Sequence, residues 1–134
     1  MAGNITGFQR PFSFKANATY TTVGMEQAVT YVAGSDRQVE VPMVDNQPPV
    51  GIVTYQYEDR DGATIAVQLD RLVEATAAEA IQFGDDVIVA AGGQIKRAAG
   101  LAAGTKAHVL GEAQNNVQAG QSVQILINKK TYTV

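Results

Sequence analysis

A short apolar run closing on glycine, a polar excursion, a second glycine and an apolar run of period two occur twice in this chain. The first copy reads Val50-Gly51-Ile52-Val53, then Asp61-Gly62 into Ala63-Thr64-Ile65-Ala66-Val67-Gln68-Leu69. The second reads Val109-Leu110-Gly111-Glu112-Ala113, then Ala119-Gly120 into Gln121-Ser122-Val123-Gln124-Ile125-Leu126-Ile127. Alternation of apolar and polar residues sends one face of a strand into a core and the other to solvent. The polar, glycine-bearing stretches between the runs reverse the chain. Gly84-Asp85-Asp86-Val87-Ile88-Val89 lies between the copies and is a further turn feeding a strand. The pattern predicts an all-β body built from hairpins.

The remaining segments extend that reading. Thr19–Val23, Gln27–Val32 and Gln38–Val44 are rich in β-branched residues or alternate, and are expected to be strands. Pro42 lacks a donor for a ladder, which assigns its strand to an edge. Gly51–Tyr57, Ala63–Leu69, Val87–Ala91, Gln94–Arg97, Lys106–Leu110, Gln121–Asn128 and Thr131–Val134 follow. Around nine or ten short strands at this spacing suit a small barrel or sandwich. One helical interruption is expected around 76–82, where the alanines favour helix and Thr76 with Glu79 fits a capping box. The small residues of 98–104 are expected to form a flexible surface loop. Residues 1–19 read as an extended N-terminal arm and residues 20–134 as a single β domain. Phe8, Phe12 and Phe14 are large apolar groups that an isolated arm would leave in water. With Arg10 they are the candidate partner-binding residues.

Charge and composition narrow the function classes. The chain of 134 residues carries a net charge of −3, unevenly placed. Residues 1–25 hold Arg10 and Lys15 and no acid, residues 26–86 sum to −9, and residues 87–134 sum to +4. Such asymmetry favours docking on complementary surfaces. The bases are dispersed and not interleaved with aromatics, which argues against a nucleic-acid partner. Cysteine is absent, so disulfides, thiolate metal sites and a cysteine nucleophile are excluded. The first residues have neither a basic nor an apolar region of the signal-peptide kind, and no run reaches the ~20 apolar residues of a membrane span.

Candidate chemistry is sparse. His108 is the sole histidine, and no serine sits in a nucleophile-elbow setting near it. A zinc site would need three carboxylates beside it, an uncommon set. Glu58-Asp59-Arg60-Asp61-Gly62 has a fragment of a calcium-loop pattern without its closing ligands and reads as a charged turn. Adjacent Asp85 and Asp86 would point to opposite faces of a strand. Gly92-Gly93 lacks the residues that follow a phosphate loop. Lys129-Lys130 reads as a charged guard on an edge strand. No catalytic, cofactor-binding or metal-binding residue is expected, and the protein reads as non-enzymatic.

The order of elements in 48–127 resembles the small decoration, or head cement, proteins of tailed-phage capsids. The residues that carry the resemblance are Pro49–Val53, Gly62–Leu69, Glu74-Ala75 with the alanine-rich stretch into Gly84–Val87, Gly111–Ala113 and Gly120–Ile125. It covers around 60% of the chain, and residues 1–47 match less well. The resemblance implies a compact β-barrel or sandwich that oligomerises, as a homotrimer or otherwise, and clamps neighbouring major capsid protein subunits on the outer face of a virion. It implies no catalytic residues. The arm, through Phe8, Arg10, Phe12 and Phe14, is then expected to contact a neighbouring chain. A small β-barrel module for a carbohydrate or other ligand is the alternative; Tyr55 and Tyr57 are its only candidate platform.

Overall fold

The computed structural model describes residues 12–16, 26–56 and 64–134. Among them ten strands form two sheets, divided in chain order. The first comprises β1 (Phe12–Ala16), β2 (Ala28–Tyr31), β3 (Gln38–Glu40), β4 (Pro49–Gln56) and β5 (Thr64–Gln68). It closes into a barrel in the order β1-β3-β2-β4-β5, sealed by antiparallel β1–β5 pairing. The second comprises β6 (Arg71–Thr76), β7 (Asp86–Val89), β8 (Ile95–Arg97), β9 (Lys106–Ala113) and β10 (Ser122–Thr133). Its order is β6-β10-β9-β7-β8, and it curls until Ala77, just past β6, bridges Ile95 of β8. The fold class is therefore all-β, as the strand periodicity predicts.

Two cores result, and period-two alternation explains how one strand serves both. Val29, Val50 and Val53 point into the barrel with Val39, Ile65 and Val67. Their neighbours Ala28 and Ile52 point outward and join the core of the curled sheet, beside Val73, Ile81, Leu110 and Ile125. The barrel wall thus plugs the open side of the sheet. A satellite cluster of Ile88, Ala98, Ala107 and Val109 occupies the sheet's other face, covered by Leu101 and Val134. The segment 98–104, expected to be a flexible surface loop, therefore begins with a 3-10 turn at Ala98–Gly100 whose first residue is buried, and it docks Leu101 on this cluster.

The two copies of the glycine pattern occupy equivalent places. In the β2–β4 ladder, Val29 pairs Gly51 and Thr30 pairs Pro49, leaving Val50 as the extra residue of a bulge. In the β7–β9 ladder, Val87 pairs Gly111 and Ile88 pairs Val109, leaving Leu110 extra. Each glycine follows its bulge and lies against the next strand. A Cβ on Gly51 would strike the carbonyl of Gln68, and one on Gly111 that of Leu126. Bulges bend and twist the strand that carries them, which is how each sheet acquires its curl.

Three local expectations are corrected. No helix forms around 76–82: β6 runs to Thr76, and the chain bends at Ala78 and Glu79 between the bridges from Ala77 to Ile95 and from Ile81 to Val117. The reason is tertiary. Ala77 and Ile81 are wholly buried, and their amides bond the carbonyls of Gln121 and Val117, which outweighs alanine's preference for helix. β3 stops at Glu40, before Pro42, and lies between β1 and β2 rather than at an edge. Finally, Phe12–Ala16 is a strand of the barrel itself, not free arm: Phe12 and Phe14 are register partners of the buried Val67 and Ile65. The expected strand at Thr19–Val23 lies outside the described residues.

Candidate functional site

Beyond the shared core, two contacts between barrel and sheet differ in character. One is a polar clamp. Residues 41–48 carry Asp45 and Asn46 to the β7–β8 hairpin. Asp45 accepts the Ala91 amide at 2.9 Å and the Lys96 ammonium at 2.7 Å. The bond from Lys96 and that from Ala91 hold the Asp45 carboxyl below its ordinary value, and the same pair raises Lys96. Asn46 fills the gap where β7 and β9 diverge beyond the Leu110 bulge. Its amide donates to Val89 O at 2.8 Å, its Nδ2 to Lys106 O at 2.8 Å, and its Oδ1 accepts the His108 amide at 2.8 Å. It thus replaces the ladder bonds that β7 no longer supplies. The composition of 45–49 announces only a loop; this role depends on a strand sixty residues away.

The other meeting place is open. β5 passes to β6 through Leu69 and Asp70, and Arg71 takes a positive φ of 65° at this corner. The strand direction changes there, so β6 leaves the barrel and becomes an edge of the second sheet. A groove of about 380 Å³ follows. Val53 and Val73 floor it, and Glu26, Thr54, Gln68, Leu72 and Glu74 line it. Glu26 is tied to the sheet by the Ser122 hydroxyl, which donates to Oε1 at 3.0 Å. Beside the groove, Leu72 of β6 is the register partner of Leu126 of β10. Both stand in water, 55% and 47% exposed. Directly opposite strand residues bring their side chains together, so the two leucines form one apolar patch. Carboxylates border it: Glu74 two residues along β6, and Glu112 opposite Leu126 on β9.

Elsewhere the sequence candidates resolve into structural roles. The Asp85 carboxylate accepts the Gln82 amide at 2.9 Å within its turn. Asp86 accepts the Tyr132 hydroxyl at 2.9 Å and pairs with Lys130 at 3.4 Å, reaching across β9 to the tail of β10. Burial chiefly, with the Asp86 bond, raises the Tyr132 phenol above its ordinary value. Lys130 is thus engaged by its own sheet, and burial lowers Lys129 despite nearby Asp70. The His108 ring stands on β9 half-buried, with no group of three metal-ligating side chains near it or elsewhere among the described residues. Gly92-Gly93 turns the β7–β8 hairpin and packs against Gln27 and Ala28. Tyr55 belongs to β4. Phe8, Arg10, Tyr57 and the charged stretch Glu58–Gly62 lie outside the described residues. Met43, Val44 and Phe83 also stand exposed among the described residues; the leucine patch is the exposed apolar feature that borders an acidic groove. The sequence reading passed it over, placing no strand between Leu69 and the helical turn expected around 76–82. The signal was present: Leu72, Glu74 and Thr76 alternate with Val73 and Ala75.

Neither a protein-family model nor a curated protein sequence matches the chain. Its fold is similar to that of a solved structure, the N base of the head fibre protein gp8.5 of bacteriophage phi29. The two share a TM-score of 0.65 and 20% identity over 90% of this chain and 95% of that one. The likeness covers both sheets and the junction between them, so it establishes the architecture as one already found in a phage head fibre. No helix among the described residues is long and apolar enough to cross a membrane.

Proposed function

We propose that this is a structural protein of a phage virion, mounted on the outer face of the head and acting without covalent chemistry. The observation that carries the reading is the fold shared over nearly the whole chain with the base of a head fibre. The ordered strand-and-turn pattern that resembles capsid decoration proteins supports it independently. At the finer level, the protein bridges neighbouring major capsid protein subunits and works as a homo-oligomer. Several weak contacts per oligomer add through effective concentration, so modest individual affinities suffice to hold a shell together. Phe8 and Arg10 supply partner contacts from the segment that precedes β1.

The test is addition of purified protein to phage heads that lack their outer accessory proteins. The expected result is co-sedimentation at a fixed stoichiometry and added density on the outer surface in electron micrographs. Protein that stays in the supernatant at micromolar concentration would overturn the reading. A major capsid gene beside the coding frame would agree with it.

A further inference from the structure

The leucine patch and the groove together describe what they would hold. Leu72 and Leu126 offer an apolar surface, and Glu26, Glu74 and Glu112 surround it with carboxylates. Among the described residues Glu74 has no ion-pair partner. Two such faces cannot pack on each other, because carboxylates would meet carboxylates. The occupant must bring an apolar group and a cation together. Residues 1–25 carry Arg10 and Lys15 and no acid, and they bring Phe8 close to Arg10. Within them Phe8 and Arg10 stand two residues apart, as do Leu72 and Glu74 on β6. Extended strands share a rise of about 3.3 Å per residue. A strand beside β6 and parallel to it therefore sets Phe8 against the leucines when Arg10 reaches Glu74.

We infer that this groove receives the leading segment of a second copy of the chain, with Phe8 on Leu72 and Leu126 and Arg10 on Glu74. The supplier is a second molecule because of the barrel's strand order. β1 flanks β5 on one side, with Phe12 opposite Val67. The groove lies on the other side, where β4 pairs β5 and contributes Val53 and Thr54. β5 and the link through Leu69 and Asp70 stand between β1 and the groove. A neighbour approaches without that obstacle. Such an arm-in-groove contact is head-to-tail and closes into a ring if the rotation permits. It rests on the homo-oligomer reading and deepens it, and because it is measured in solution its failure leaves the mounting on the phage head standing.

Sedimentation of the full-length protein over a concentration series tests it. The wild type is expected to associate. Arg10→Glu and Glu74→Arg are each expected to weaken association about tenfold or more, the range for a desolvated charge pair. Leu72→Ser is expected to do the same by removing the apolar seat. An equimolar mixture of Arg10→Glu with Glu74→Arg is expected to recover association, since a reversed arm then meets a reversed groove. Thermal unfolding of each variant confirms that the body is intact, because these groove residues are exposed. A strictly monomeric wild type, variants that associate normally, or a mixture no stronger than its components would each overturn the inference. The last outcome would place the arm in the groove of its own molecule.

Discussion

Gly51 and Gly111 forgo a side chain because another strand's carbonyl already occupies the place of a Cβ. Neither requires an unusual φ; the constraint is close approach. Gly51→Ala and Gly111→Ala are therefore expected to cost at least about 2 kcal/mol each, since backbone must shift to admit the methyl. Gly100→Ala meets no atom within 4 Å and has no left-handed φ, so it should stay within about 0.5 kcal/mol of wild type. Urea unfolding of the three variants separates these outcomes. Asn46 makes the complementary case for a polar side chain. Its φ is 67° and its amide group bonds both Lys106 and His108. Asn46→Gly keeps the backbone freedom and loses the side-chain bonds; a loss of about 1–3 kcal/mol is expected. Exchange of the His108 amide with deuterium should accelerate in that variant. The glycines could be picked out in the chain by their repetition, but Asn46 could not, because nothing local marks which loop residue will meet a strand.

Among the elements, the loop 41–48 and the β7–β8 hairpin hold each other through Asp45 and Lys96. The pair is 40% exposed on both sides, so solvent screens it and its contribution is modest. Its pH dependence has a definite sign. The Asp45 carboxyl lies below its ordinary value of 3.8 in the folded state. The stability it adds is fully present above 3.8 and is lost as pH falls through the lowered folded value. Asp45→Asn should therefore flatten the acid limb of the stability curve below about pH 4 relative to wild type, with little difference at lower pH once both are neutral. Thermal melts at a series of pH values measure this. The stretch 76–82 shows how far an element can be misread. Its alanines favour helix by local preference. Burial of Ala77 and Ile81, with their bridges to Ile95 and Val117, decides against it. Tertiary packing of a buried face exceeds the few tenths of a kcal/mol per residue that separate local preferences.

For the molecule as a whole, the sharing of one core by two sheets predicts joint unfolding. Ile52 belongs to the barrel by its strand and to the curled sheet by its side chain. Ile52→Ala is expected to cost about 2–5 kcal/mol, the range for deleting a buried branched side chain. It should lower hydrogen-exchange protection in β6 and β10 as well as in β4. Protection lost in β4 alone would show that the sheets are independent. Much of this architecture was legible in the chain: apolar alternation announces strands, and paired glycines announce tight places, because side-chain direction and steric room are local properties. The aromatic alternation of Phe12 and Phe14 was equally legible as strand, but not as a strand of the barrel. That depends on which other strand offers a partner, and β5 lies fifty residues away. The same holds for the leucine patch. A sequence says that Leu72 and Leu126 will each lie on one face of a strand, yet their meeting on an exposed face arises from register between distant segments. Periodicity is written along the chain, whereas closure, register and the choice of which apolar face stays uncovered emerge only when the free energies of all the contacts are minimised together.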